Sequence, residues 1–441
     1  MSRLSARVGS HPRAALAALI LVALVVRGAL TPLYAYLPNG YLDEGFWKDW
    51  MRVIHEHGVL NIFRQSDTDY IGYHWVLWAL SGVYALIGGP YTQTEPSLHV
   101  LVKAPSILFD AVLIVCVYAA TLAVARERRR DGEAIALIAA AVVALHPVVI
   151  YDSAVWAQTD AAVTVAMLVS VVLAARGMPA RGWAVWTLGF MVKPHPVIIV
   201  PVLLALTVRV SGWGALARSA VAAVVVAGAV LGPWVVHGDG ANIATTYKAL
   251  FDANYERLSA SAWNVWWFRD VAAHPAPDDD VLASVPLVTY RMTGVALSAL
   301  AGALAMLLVW RRPTVRTALL AAAYLAAAFF VLPVSTHERY LYPVVALLLP
   351  VAVLERRWMW LYGALSATLF LNMVAVAPPV RSLSGRWVES PFSLAVAALN
   401  VALFGAWTLV LVGSLIRDTR RSRPAPLAYS ERSMRERAGA G

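Results

Sequence analysis

The stretch from Trp183 to Val210 reads WAVWTLGFMVKPHPVIIVPVLLALTVRV, an apolar run interrupted in its middle by Lys193-Pro194-His195-Pro196. It is long enough for one membrane span. Proline, however, removes a helical donor and breaks the run at that point. As a single span it inverts everything that follows. Arg311, Arg312, Arg316, Arg356, Arg357 and the Arg-rich tail then lie outside. As two short half-helices meeting at Lys193, it leaves every arginine cluster inside, as the positive-inside rule requires. The sequence therefore predicts a broken hairpin. Irregular backbone at membrane depth is tolerated only where it is buried in protein or lines a wet cavity, so the break itself points to a site.

Composition agrees with a membrane protein. The 441 residues are 60% hydrophobic and 14% charged, where soluble domains carry nearer a quarter. Apolar runs of spanning length recur from end to end, which predicts an all-α polytopic membrane protein of about twelve helices. The net charge of +10 does not indicate nucleic acid, because the arginines punctuate apolar runs. The single cysteine, Cys116, excludes an intramolecular disulfide. Arg3, Arg7 and Arg13 precede the first apolar run without a convincing cleavage site, so an uncleaved signal anchor with a cytoplasmic N-terminus is expected.

From that start the charges sort the chain. Helix 1, about Ala14 to Tyr36, delivers Asp43-Glu44 to the outside. A first outer loop, 37–99, follows, with an interfacial amphipathic helix from Trp47 to Phe63 and an apolar stretch, 74–87, in or dipping into the outer leaflet. Helix 2, about Leu101 to Ala125, returns to Arg126-Glu127-Arg128-Arg129-Arg130. Helix 3, about Glu133 to Tyr151, exits at the segment Asp152–Asp160, and the next helix returns to Arg176 and Arg181. After the broken pair, a second large outer loop spans 237–286, and His337-Glu338-Arg339 occupies a later outer turn. Residues 1–416 form one transmembrane domain on this basis. Residues 417–441 form a basic, disordered cytoplasmic tail. No fixed-period repeat is visible.

One regularity emerges that the arginines did not impose. Asp43-Glu44, Asp69-Tyr70, Asp152 with Gln158 and Asp160, Lys193 with His195, Trp263-Asn264 and His337-Glu338-Arg339 all fall on the outer face. Ionisable groups near membrane depth are expensive and mark function. Carboxylates with a separate cationic set fit a transfer reaction, one acid taking a proton while the cations hold a phosphate. Taken singly, each residue also has a structural reading. The acids serve as solvated loop residues, Lys193 snorkels or pairs, His195 is structural between its prolines, and Arg27 pairs within helix 1. His55, Glu56 and His57 lack metal spacing, and no metal or other cofactor is expected. A transporter or lipid-linked glycan flippase is the rival, since broken helices with charges at the break also occur there.

At these residues the chain resembles the GT-C superfamily of polyprenyl-phosphate-sugar-dependent glycosyltransferases. Asp43-Glu44 is similar to the acidic pair of the protein O-mannosyltransferases and of the aminoarabinose transferases of lipid A. The distance from Asp43 to Trp50-Met51 is similar to that in the dolichyl-phosphate-glucose-dependent glucosyltransferases. Asp69-Tyr70 resembles the start of an Asp-Tyr-Pro-Pro motif, with Ile71-Gly72 in place of the prolines. Trp156-Ala157-Gln158-Thr159-Asp160 resembles Trp-Gly-Gln-x-Asp, with Ala157 for glycine. Lys193-Pro194-His195 resembles Lys-Pro-Gln, and His337-Glu338-Arg339 resembles a His-Glu-Arg/Lys motif.

The resemblance implies a GT-C-like bundle and an inverting transfer of a monosaccharide, mannose or another hexose or pentose, in a bacterial plasma membrane. The donor is a polyprenyl-phosphate-linked sugar, and the acceptor a hydroxyl of a glycolipid, polysaccharide or protein. Asp43 becomes the base. Lys193, His195, His337, Glu338 and Arg339 lie at the donor phosphate. Glu44, Asp69, Tyr70, Asp152, Gln158, Asp160, Trp263 and Asn264 contact substrate.

Overall fold

The computed structural model describes residues 11–37, 42–128, 132–252, 257–272, 280, 282 and 288–421. Arg3, Arg7, Arg129, Arg130, most of the tail and part of the 237–286 loop lie outside the described residues. The described chain is helical, with isolated bridges only, from Ala260 and Ser261 to His337. It divides into two compact units, Met1–Phe404 and Gly405–Gly441.

The principal helices are α1 (Pro12–Leu30), α2 (Glu44–His57), α3 (His74–Ile87), α4 (Ala104–Glu127), α5 (Glu133–Ala144), α6 (Asp160–Ala175), α7 (Pro179–Val192), α8 (Val200–Ser211), α9 (Gly214–Val236), α10 (Gly240–Asp252), α11 (Tyr290–Arg311), α12 (Val315–Val331), α13 (Arg356–Val376) and α14 (Pro391–Arg421). Six of the described helices are long and apolar enough to cross a membrane, or seven if the pair Glu133–Ala144 and Pro147–Val155, bent by 46°, counts as one. The chain is an integral membrane protein. The sequence leads one to expect about twelve helices, a broken pair among them; of the described helices six or seven are of full spanning length, joined by shorter apolar helices such as α6 and α12. Proline and polar breaks cut these short. Helix 1 ends at Leu30 because Thr31-Pro32 stops it. His146-Pro147 bends the third run, and the helix expected from Trp47 to Phe63 begins at Glu44 and stops at Gly58, whose φ is 81°.

The break at Lys193 is a fold-back. The indole N–H of Trp183 on α7 donates to Thr207 Oγ1 on α8 at 3.0 Å. One turn on, Trp186 donates to the Pro196 carbonyl at 2.7 Å. Residues 24 positions apart therefore sit side by side, and an indole N–H donates to a carbonyl within the break. α7 also packs closely on α6. A Cβ on Gly182 would lie 2.8 Å from the Ser170 carbonyl oxygen, and one on Gly189 would lie 2.4 Å from the Ala166 methyl. Such small residues let helices approach where no water drives them together.

The arginine sorting has a physical counterpart at one carboxylate. Arg128 after α4, Arg316 at the start of α12 and Arg357 at the start of α13 all reach Glu355, at 2.6, 2.5 and 3.0 Å. Three clusters assigned to one face by charge alone therefore meet. Arg27, in α1, pairs with Asp110 of α4 at 2.5 Å and donates to the Ala144 carbonyl at 2.8 Å.

Candidate active site

Asp43 stands immediately before α2. Its Oδ2 accepts from Trp156 Nε1 and Gln158 Nε2, both at 2.9 Å, and the side chain remains 19% exposed. Two neutral donors on one oxygen orient the carboxylate without neutralising it. Both donors come from one sharp bend. Ala157 between them takes φ 61°, a left-handed conformation that costs an alanine about 1–2 kcal/mol. The bend turns the Ala157 carbonyl to the indole N–H of Trp47, at 3.0 Å, one turn along α2 from Asp43. The Trp156–Gln158 segment is thus clasped to α2 at two points.

The cations lie on the other side. Lys193 Nζ, at the break, bonds Asp160 Oδ1 at 2.9 Å and sits over the rings of Tyr70 and Tyr340 at 5.8 and 5.5 Å. Arg339 bonds Glu338 at 2.6 Å, stands 3.7 Å from Asp160 and 3.9 Å from Asp43, and lies over the Trp156 ring at 5.3 Å. His337 Nδ1 is 3.9 Å from Glu338. Burial, then repulsion from Arg339 and Lys193, pulls the His337 imidazole down to about 3, so it is neutral at physiological pH. His195 packs edge-on against Tyr340, ring centres 4.0 Å apart. Burial pushes the Asp69 carboxyl up, against the pull of Lys193 and Arg339.

The structure therefore brings together Asp43, Asp69, Tyr70, Gln158, Asp160, Lys193, His195, His337, Glu338 and Arg339. Four expected residues stand apart from them. Glu44 turns away from Asp43 into the interior, bonding His99 at 2.6 Å and Lys48 at 2.8 Å with Lys103 at 3.8 Å. Asp152, expected in an outer segment, lies on a π-helical turn, Tyr151–Val155, and is fully buried. Trp263 and Asn264 are likewise fully buried. The Asn264 amide bonds Thr336 Oγ1 at 2.6 Å, and the Trp263 N–H donates to Asn372 at 2.9 Å. With the bridges from Ala260 and Ser261, these bonds fix the loop that carries His337. Trp156, quoted in a motif but not expected to touch a reacting group, holds Asp43. Its signal was its place two residues before Gln158.

Two expected results test this geometry. Gly72 has no room for a side chain, since a Cβ there would lie 2.8 Å from the Met191 carbonyl oxygen. It sits two residues after Tyr70, and Met191 sits two before Lys193. Gly72→Ala therefore separates the two, at a cost of about 1–3 kcal/mol, read as a lower melting temperature in detergent. The second concerns Glu44. Burial works against its charge, but the bonds from His99 and Lys48 win and hold the carboxyl below its usual value. Its stabilisation is full above the unfolded value near pH 4.5 and is lost as pH falls through the lower folded value. Glu44→Gln should cost about 3 kcal/mol at pH 7, with the deficit shrinking on acidification. Equal deficits at every pH would show that the charge is not what matters.

The chain matches no known protein family and no curated protein. Among solved structures it is similar to the crystal structure of ArnT from Cupriavidus metallidurans in the apo state, with a TM-score of 0.49 and 18% identity over 90% of this chain and 76% of that one.

Proposed function

We propose that the chain is an inverting glycosyltransferase that moves a monosaccharide from a polyprenyl-phosphate donor to an acceptor hydroxyl at the extracytoplasmic face of the plasma membrane. One observation carries this reading. A partly exposed carboxylate, Asp43, is oriented by two neutral donors opposite Lys193 and Arg339, which meet at Asp160.

Asp43 takes the proton of the acceptor hydroxyl as its oxygen attacks the anomeric carbon. The bond from that carbon to the phosphate oxygen breaks on the opposite face, and the polyprenyl phosphate leaves with the electron pair. Lys193 and Arg339 stabilise the charge gathering on the leaving phosphate. His337, neutral, donates an N–H to a phosphate oxygen. Asp69, beside Tyr70, can accept hydrogen bonds from sugar hydroxyls. The donor's prenyl chain remains in the bilayer. The collinear order of Asp43, Asp69-Tyr70, Gln158 with Asp160, Lys193 and His337 to Arg339 supports the reading through its resemblance to the GT-C enzymes.

The test is consumption of a polyprenyl-phosphate monosaccharide by purified protein, with release of polyprenyl phosphate. Mass spectrometry of the lipid that co-purifies identifies the donor. Orientation is tested separately. Ser335→Cys, in a Cys116→Ala background, should react with a membrane-impermeant maleimide added outside intact cells. Labelling only after the inner face is opened would overturn the proposed orientation.

A further inference from the structure

Behind the site the charges do not balance. Asp152 lies on the π turn, and its carbonyl accepts from the backbone N–H of Gln158 at 2.9 Å. Its side chain is fully buried, and neither carboxyl oxygen meets a hydrogen-bond donor among the described residues. The charged groups facing it are Asp160 on α6, Asp110 on α4, Lys193 at the break and Arg339 on the loop before Tyr342. Both cations are engaged elsewhere, Lys193 with Asp160 and Arg339 with Glu338. Asp110 is taken by Arg27 and by Ser153, at 2.5 Å each.

Around the whole site, Asp43, Asp69, Asp110, Asp152, Asp160 and Glu338 face three basic side chains, Arg27, Lys193 and Arg339. An anionic phosphate widens that excess. An ionised carboxylate removed from water, without donors and beside two other acids, takes a proton instead. A π turn inserts one residue into a helix and recurs at functional sites. Here it sets Asp152 directly behind the segment that grips Asp43.

We propose that Asp152 is a neutral carboxylic acid at physiological pH, and that its neutrality allows Lys193 and Arg339 to accept an anionic phosphate. The second half rests on the glycosyltransferase reading; the first does not. As an acid, Asp152 becomes a hydrogen-bond donor. The Tyr342 hydroxyl also faces it but meets no hydrogen-bond partner among the described residues, so it does not supply Asp152 with a donor.

The first experiment is infrared spectroscopy of the full-length protein with carbon-13-labelled aspartate. A protonated-carboxyl carbonyl band should persist to pH 8 and lose intensity in Asp152→Asn. Its absence from the parent overturns the proposal, and the parent alone supplies that outcome if the variant does not fold. The second experiment is the melting temperature against pH. A proton kept in the folded state but released from an unfolded aspartate near pH 3.9 makes stability fall as pH rises from about 5 to 8. Asp152→Asn should flatten that slope by one proton per molecule; parallel slopes overturn the proposal. The third is binding of a short-chain prenyl phosphate, expected in Asp152→Asn within about threefold of the parent. A tenfold loss shows that a negative charge is needed and overturns the second half. If the parent itself binds no prenyl phosphate, the glycosyltransferase reading and the second half fail together, while the infrared band and the slope still decide the state of Asp152.

Discussion

Asp43→Asn should lower the turnover number by about a thousandfold, the size of a general-base contribution, while leaving donor affinity and melting temperature near the parental values. Asparagine keeps an oxygen for Trp156 and Gln158, so the clasp on α2 survives. Arg339 loses only a partner at 3.9 Å and retains Glu338 at 2.6 Å. The variant therefore removes the proposed proton acceptor and little else. The measurement is single-turnover release of polyprenyl phosphate with donor saturating, beside a donor titration. Loss confined to turnover is the signature of an interaction made only in the transition state. Turnover at the parental rate would remove Asp43 from the base's role and make Asp69, a further carboxyl under the influence of Lys193 and Arg339, the next candidate.

The same neighbourhood shows what a single chain of letters conveys and what it hides. The break at Lys193-Pro194-His195-Pro196 was readable because proline has a local and nearly unconditional effect on a helix. Arginine sorting was readable because the cost of moving those side chains across a bilayer does not depend on the fold. Their meeting at Glu355 and the fold-back that sets Trp183 beside Thr207 follow from those two rules. Side-chain direction was not readable. Asp43 and Glu44 are neighbours, yet successive residues at a helix start point about 100° apart, so one reaches the site and the other Lys48 and His99. Asp152 and Asp160 bound one short segment, but a π turn buries the first and Lys193 binds the second. Trp156 was marked only by its place two residues before Gln158, and its role depends on the left-handed Ala157 that turns it toward Asp43. The lengths of the individual helices were hidden for a related reason. Helices beside the site are cut short by polar and proline breaks, which hydropathy averages over.

Arg339→Lys should lower kcat/KM for the donor by about a hundredfold, although the charge is kept. The guanidinium uses a different nitrogen for each carboxylate: Nη1 for Glu338, Nε toward Asp160 and Nη2 toward Asp43. An ammonium is a point charge on a flexible stem and cannot serve three directions at once. The guanidinium carbon also lies over the Trp156 ring, an arrangement that holds the indole whose N–H orients Asp43. The lysine variant therefore disturbs both halves of the site, so KM rises and turnover falls together. Arg339→Ala goes further, leaving Glu338 and Asp160 with less compensation in a buried setting, at a cost of about 3–5 kcal/mol. A double-mutant cycle separates the two contributions. If Arg339 acts partly through Asp160, Asp160→Asn should soften the stability loss of Arg339→Ala, because one buried charge needing a partner is gone. If Arg339→Lys leaves donor KM and turnover at parental values, the phosphate is held elsewhere, and Lys193 with His337 must account for it alone.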